Sequence, residues 1–133
     1  MPHLGLLTVL VDDYDAAIDH YVNALGFVLV EDAEQADKRW VVVAPAGTEH
    51  VAHATHLLLA LASDDDQRGR VGDQACGRVF LFLHTDDFAG DRARMIDAGV
   101  EFLEEPRHEP YGTVAVFRDR FGNLWDLLEP SAR

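Results

Sequence analysis

The first half of the chain alternates between apolar runs and one helical pattern. The run "LGLLTVLV" predicts a buried strand from about Leu4 to Val11. From Asp13, apolar residues recur at helical spacing as far as Gly26, so this segment predicts an amphipathic helix with an Asp cap and a Gly end. Three further apolar runs, "FVLVED", "RWVVVAP" and "THLLLALA", predict strands. The predicted order is β-α-β-β-β.

The second half repeats this order after a charged, glycine-containing segment. "GRVFLFLHT" predicts a strand, "DDFAGDRARMIDAG" a helix, and "VEFLEE", "YGTVAVFRD" and "GNLWDLLEP" three more strands, while "EEPRHEPYG" predicts a rim loop. Both helices open on Asp-Asp-aromatic and close on Gly, which indicates an internal duplication. We therefore expect one domain over 1–133, with modules at about 3–62 and 78–130 and an exposed linker at about 63–77.

Composition limits the partners that we expect. The chain has 24 acidic and 11 basic residues and a formal net charge of −13, which disfavours nucleic acid and anionic membrane surfaces. The apolar stretch at the N-terminus is too short to span a bilayer and has no basic leader, so we expect a cytoplasmic protein. The single cysteine, Cys76, excludes an internal disulfide and a cysteine cluster.

Three segments carry a resemblance to a known family: "VDDYDAAIDHYVNALGF", "TDDFAGDRARMIDAGVEF" and "PYGTVAVFRDRFGNLWDLLEP". With them the chain resembles the vicinal oxygen chelate superfamily, which includes glyoxalase I, extradiol dioxygenases, bleomycin-resistance proteins and fosfomycin-modifying enzymes. Arg120 stands where the family usually has proline. The resemblance implies an α+β fold in which two βαβββ half-barrel modules form mixed sheets curved around a central cavity. It also implies a homodimer.

Enzymes of this superfamily hold a divalent metal with ligands from four strands. The resemblance places these positions at Leu6, within Leu57 to Leu61, at Phe80 and at Asp126. Only Asp126 has a lone pair to offer, and open catalytic metal sites use about three protein ligands. We therefore expect no metal at the usual site and no cofactor.

A cavity without a metal can still bind a small molecule. Because side chains alternate along a strand, Phe80, Phe82 and His84 are expected to point inward, where Asp126 would join them. Further candidates for ligand contact are Arg39, Trp40 and Tyr111, although core packing or a surface salt bridge explains several of these residues equally well. This set favours a protein that binds a small organic molecule, and the net negative charge of the chain favours a cationic one.

Two other functions remain open. Residues His50, His53 and His56 in "HVAHATH" are metal-ligating types, but a spacing of three suits one face of a helix and the predicted neighbour is a strand. One alternative is a metal-dependent lyase or dioxygenase of glyoxalase type that uses this triplet, His3, His84 or Asp126. The other is a dimer without a ligand. Whether the protein is an enzyme is left undecided by the sequence.

Overall fold

A computed structural model describes residues 1–132, which divide into two compact units: Met1–Val71 and a second that begins at Gly72. The first unit contains one main helix, α1, and a short helix, α2, in addition to four strands. Its elements are β1 (Leu6–Val11), α1 (Tyr14–Asp19), β2 (Phe27–Gln35), β3 (Lys38–Pro45), β4 (His56–Leu61) and α2 (Asp65–Arg68).

The sheet of the first unit, sheet 1, has the strand order β1-β4-β3-β2. Strands β1 and β4 are parallel and the other neighbours are antiparallel. Helix α1 begins where Asp13 accepts a hydrogen bond from the Ala16 N–H, and it continues as a π-helical segment, His20–Ala24. Tyr21 of this segment and Val9 and Leu59 of the sheet are fully buried.

The second unit repeats the order of elements. They are β5 (Val79–His84), α3 (Phe88–Asp97), β6 (Glu101–Phe102), β7 (Arg107–Glu109), β8 (Gly112–Arg118) and β9 (Leu124–Pro130). In its sheet, sheet 2, the order is β5-β9-β8-β6, with the first pair parallel and β7 paired to β8. The matching strand orders confirm the two modules and the mixed sheets expected from the sequence.

Helix α3 covers one face of sheet 2. Its Phe88 N–H donates to the Glu129 carboxylate at 2.8 Å, which identifies the face of β9 that carries Glu129, Leu127 and Trp125 as the helix side. Trp125 stacks on Phe117 with 5.7 Å between ring centroids. Leu124, Asp126 and Leu128 alternate with these residues and lie on the opposite face, here named the distal face.

A turn with a buried aspartate, Asp119, joins β8 to β9. The Asp119 carboxylate accepts hydrogen bonds from the backbone N–H groups of Phe121, Gly122 and Asn123, from the Asn123 side chain and from the Trp125 indole. These bonds explain the aspartate, glycine and asparagine of "DRFGN" as a structural requirement of the turn.

The structure differs from the sequence expectations in three places. The segment read as a rim loop contains strand β7, because Arg107–Glu109 completes the edge of β8 with backbone hydrogen bonds that alternation alone did not indicate. The charged linker contains helix α2, and β1 begins at Leu6. Among residues 1–132, no helix is both long and apolar enough to cross a membrane.

Candidate functional site

Asp126 lies at the centre of the distal face of sheet 2. Its partners in the neighbouring strands are Phe82 of β5 and Val116 of β8. Asp126 is only 8% exposed, whereas Phe82 is 59% exposed. A buried carboxylate therefore lies beside an aromatic ring that solvent can reach, on the edge strand β5.

The carboxylate of Asp126 lacks the partners that burial normally requires. Its Oδ1 is buried and accepts no hydrogen bond from any described residue. Burial raises the pKa of Asp126, the positive charge of Arg107 opposes this shift, and the negative charge of Glu104 adds to it. Most buried polar groups have a partner, so this oxygen is an exception that indicates a role beyond packing.

Arg107 forms an ionic group at the edge of the same sheet. Its guanidinium donates to Glu104 at 2.9 Å and to Glu109 at 3.2 Å, and it also donates to the Tyr111 hydroxyl. Burial alone would raise the pKa of Glu104, but hydrogen bonds from Arg107 and from the Val116 N–H hold that pKa below its ordinary value. Arg107 is thus oriented by other carboxylates, and its charge reaches Asp126 without a direct bond.

Glu104 and Arg107 had no role in the sequence interpretation, which assigned their segment to a loop. Their Glu-x-x-Arg spacing resembles many surface ion pairs, and nothing in the sequence indicates that β8 brings this pair near Asp126. Arg107 pairs with Val114, and Val114 pairs with Leu128. Only this register places Arg107, and with it the ion pair to Glu104, on the distal face.

The other predicted site residues of the second unit divide into two groups. His84 pairs with Leu128 and shares the distal face with Phe82 and Asp126, while Tyr111 contacts Arg107 at the edge of the sheet. Phe80 is different, because the register shifts between Val79 and Leu81 and leaves it without a partner in β9. It lines a separate cavity at the start of the strand.

Arg39 and Trp40, the candidates in the first unit, point to opposite faces of β3. Arg39 forms ion pairs with Asp15 at 3.0 Å and Asp32 at 2.8 Å, and it lies over the Tyr14 ring of helix α1. The hydrogen bond from Arg39 is the main reason that the pKa of Asp32 lies below its ordinary value. Trp40 therefore lies on the face of sheet 1 turned away from α1.

The histidine triplet is dispersed. His50 and His53 lie in the loop before β4 and His56 is its first residue, as the sequence indicated. The His56 Nε2 lies 3.1 Å from the Thr48 carbonyl oxygen, and the His53 ring lies 4.5 Å from the His3 ring, tilted by 32°. Across residues 1–132, no group of three His, Cys, Asp or Glu side chains is placed to hold a metal ion.

In the described structure, the residues at the family's metal-ligand positions do not fit a metal ion. Leu6 carries no donor atom, and the two strand neighbours of Asp126, Phe82 and Val116, are apolar. A single carboxylate beside apolar side chains cannot replace the water ligands of a divalent ion. The same carboxylate can accept a hydrogen bond or an ion pair from an organic molecule that stacks on Phe82.

Comparisons with known proteins agree with the fold and give the family. The family model of the Glyoxalase/Bleomycin resistance protein/Dioxygenase superfamily matches residues 3–127. An uncharacterised protein of Shewanella frigidimarina (strain NCIMB 400) is 55% identical over 125 residues, which are 92% of this chain and 90% of that protein.

Two solved structures are similar over almost the whole chain. The crystal structure of UcmS2 has a TM-score of 0.81 and 28% sequence identity, with 96% of this chain and 98% of that chain covered. TnmS3, described as an antibiotic binding protein from Streptomyces sp. CB03234, has a TM-score of 0.75 and 32% identity, with 98% of each chain covered.

Proposed function

The chain belongs to the Glyoxalase/Bleomycin resistance protein/Dioxygenase superfamily, and we propose that within it this protein binds and sequesters a small organic molecule without the help of a metal. The ligand has an aromatic or apolar body and a cationic or hydrogen-bond-donating group. The observation that carries the proposal is the buried Oδ1 of Asp126, which has no partner among the described residues and lies beside the exposed ring of Phe82.

The charge distribution supports a donor or a cation as the polar part of the ligand. Arg107 is oriented by Glu104 and Glu109, and its guanidinium forms no hydrogen bond with the Oδ1 of Asp126. A ligand cation would lower the free energy of the ionised carboxylate, and a neutral donor would satisfy its oxygen. The description of TnmS3 as an antibiotic binding protein supports a small organic molecule as the ligand.

A metal-dependent lyase or dioxygenase is the rival function. It needs a ligand set that the residues around Asp126 do not supply, and the histidines of the triplet are engaged elsewhere or separated in the loop before β4. We therefore assign binding, and not metal chemistry, to the distal face of sheet 2.

A thermal-shift experiment on chelator-treated protein tests the proposal. The probes are naphthylmethylamine, an aromatic cation, and naphthylmethanol, its neutral counterpart of similar shape. A ligand that binds only the folded state raises the melting temperature in proportion to the logarithm of its concentration. We expect stabilisation by the amine that exceeds that by the alcohol, and loss of the difference in Asp126→Asn.

The matched control is Asp86→Asn, which removes the same charge from an exposed residue of the second unit. It should respond to the amine like the unaltered protein. Equal stabilisation of all three proteins by the amine would refute a site at Asp126, and stabilisation that appears only when a divalent ion is restored would favour the rival function.

A further inference from the structure

A cavity lies at the start of β5 and β9 in the second unit. Its volume is about 200 Å³. Ten residues line it: Gly72, Asp73, Ala75, Gly77, Arg78, Phe80, Arg118, Gly122, Asn123 and Leu124. Neither Asp126 nor Phe82 is among them, so the cavity is distinct from the site at Asp126, although Leu124 belongs to the same distal face.

The walls of this cavity are held in place by the backbone. Gly72 packs so closely on the turn after β8 that a Cβ at this position would lie 1.7 Å from the Phe121 carbonyl oxygen. The Gln74 N–H donates to the Asn123 side chain at 3.4 Å, which links the same loop to the turn that joins β8 to β9. A cavity with fixed walls loses little free energy to ordering when it binds a ligand.

Its charge is opposite to that of the protein as a whole. Two arginines line it against one acid, Asp73, in a chain whose net charge is −13. No described residue accepts a hydrogen bond or ion pair from the Arg78 side chain. Arg118 meets Glu101 at 3.9 Å, the outer limit for an ion pair, and this contact involves only one guanidinium nitrogen. Both guanidinium groups therefore retain donors for an anion.

Phe80 and Leu124 supply an apolar part of the wall, which selects the body of the ligand. Phe80, which the register shift leaves without a partner in β9, lines this cavity together with Leu124, the register partner of Arg118. An apolar cavity of about 150 Å³ is sufficient for a benzene ring. The volume here accommodates one aromatic ring and a carboxylate, but not a drug-sized molecule.

From these observations we infer that the cavity is a binding site for a small aromatic carboxylate. The carboxylate pairs with Arg78 and Arg118, and the ring packs against Phe80 and Leu124. A ligand of about nine non-hydrogen atoms in so small a site is expected to bind in the millimolar range.

NMR titration of the protein with benzoate tests this inference, because it locates binding through the backbone amides of Gly72, Gly77 and Leu124. We expect saturable shifts at these amides and about fivefold weaker binding in Arg78→Gln and in Arg118→Gln. Arg68→Gln serves as the control, since Arg68 is an exposed arginine in the other unit and pairs only with Asp65. Its affinity for benzoate should be unchanged.

Two further probes separate the contributions of charge and ring. Benzamide keeps the ring without the charge, and inorganic phosphate keeps the charge without the ring; each should bind at least about fivefold more weakly than benzoate. Equal binding of either probe would overturn the inference. So would shifts that do not saturate, shifts centred on other residues, or full affinity in Arg78→Gln. Because naphthylmethylamine and Asp126 play no part here, failure of this test leaves the proposed function standing.

Discussion

Two buried aspartates, Asp119 and Asp126, lie seven positions apart in the second unit, and their surroundings differ completely. Asp119 is 3% exposed, and its carboxylate accepts five hydrogen bonds from its own turn and from Trp125 of β9. Asp126 is 8% exposed, and its Oδ1 accepts none from the described residues. The two carboxylates are thus similarly buried, but the bonds of Asp119 hold the turn, whereas the fold leaves the Oδ1 of Asp126 unsatisfied.

The difference separates structural residues from functional candidates within a single family motif. A buried carboxylate with all its partners stabilises the fold, and removing it leaves several donors without a partner. A buried carboxylate without a partner costs free energy, so its presence indicates selection for something other than stability. Four substitutions test this contrast, in order of decreasing expected effect.

Asp119→Ala should lower the free energy of unfolding by about 3–5 kcal/mol, because it removes the acceptor of three backbone N–H groups, the Asn123 amide and the Trp125 indole. Urea unfolding followed by Trp fluorescence measures this loss. Asp119→Asn, which keeps one carbonyl oxygen, should have a free energy of unfolding between those of the unaltered protein and the alanine variant. A loss below about 1 kcal/mol for the alanine variant would mean that the turn does not depend on Asp119.

Gly72→Ala should lower the free energy of unfolding by about 2–3 kcal/mol, since Gly72 has φ +77° and a Cβ would collide with the Phe121 carbonyl oxygen of the same turn. Gly77→Ala is the control, because its φ is +86° but its Cβ would meet open space. It should cost only about 1 kcal/mol, the price of the left-handed backbone conformation. Equal losses in urea unfolding would show that Gly72 is not a packing position.

Asp126→Asn should raise the free energy of unfolding at neutral pH by about 1 kcal/mol. The pKa of Asp126 is raised in the folded state, so its ionisation is penalised there, and stability is lost as the pH rises through that pKa. The advantage of the Asn variant should therefore be small in acid and grow towards neutral pH. Urea unfolding over a pH series measures it, and a difference independent of pH would contradict a desolvated carboxylate.

Glu104→Gln should have the smallest effect, a loss of about 0.5 kcal/mol at neutral pH, because its ion pair with Arg107 is partly exposed and screened by solvent. The pKa of Glu104 is lowered in the fold, so this contribution is present at neutral pH and disappears as the pH falls through that pKa. The substitution also removes a negative charge that raises the pKa of Asp126. In Glu104→Gln the pH-dependent penalty at Asp126 should consequently shift to lower pH, which the same pH series detects.

The fold was largely accessible from the sequence because the two repeats carry strong local signals. Apolar runs, helical spacing, Asp caps and Gly ends recur in both halves, and both strand orders follow the expected pattern. Strand β7 was missed because it has three residues and is held only by the edge of β8. Such short edge strands depend on tertiary pairing, which no periodicity in "PRHEP" encodes.

The candidate site was accessible only in part. Strand alternation placed Phe82, His84 and Asp126 on one face, but it could not reveal the register shift at Phe80 or the cavity that Phe80 lines. Nor could it reveal that Arg39 pairs with acids beside helix α1, or that Glu104 and Arg107 act on Asp126. Each of these depends on contacts between residues distant in sequence, where the identity of the side chain does not determine its partner.

Isothermal titration of naphthylmethylamine into chelator-treated protein tests metal-independent binding at Asp126 most directly. The amine should bind to the metal-free protein, and its affinity should fall about tenfold or more in Asp126→Asn while remaining unchanged in Asp86→Asn. Binding that requires a stoichiometric divalent ion, or that survives intact in Asp126→Asn, would contradict this site.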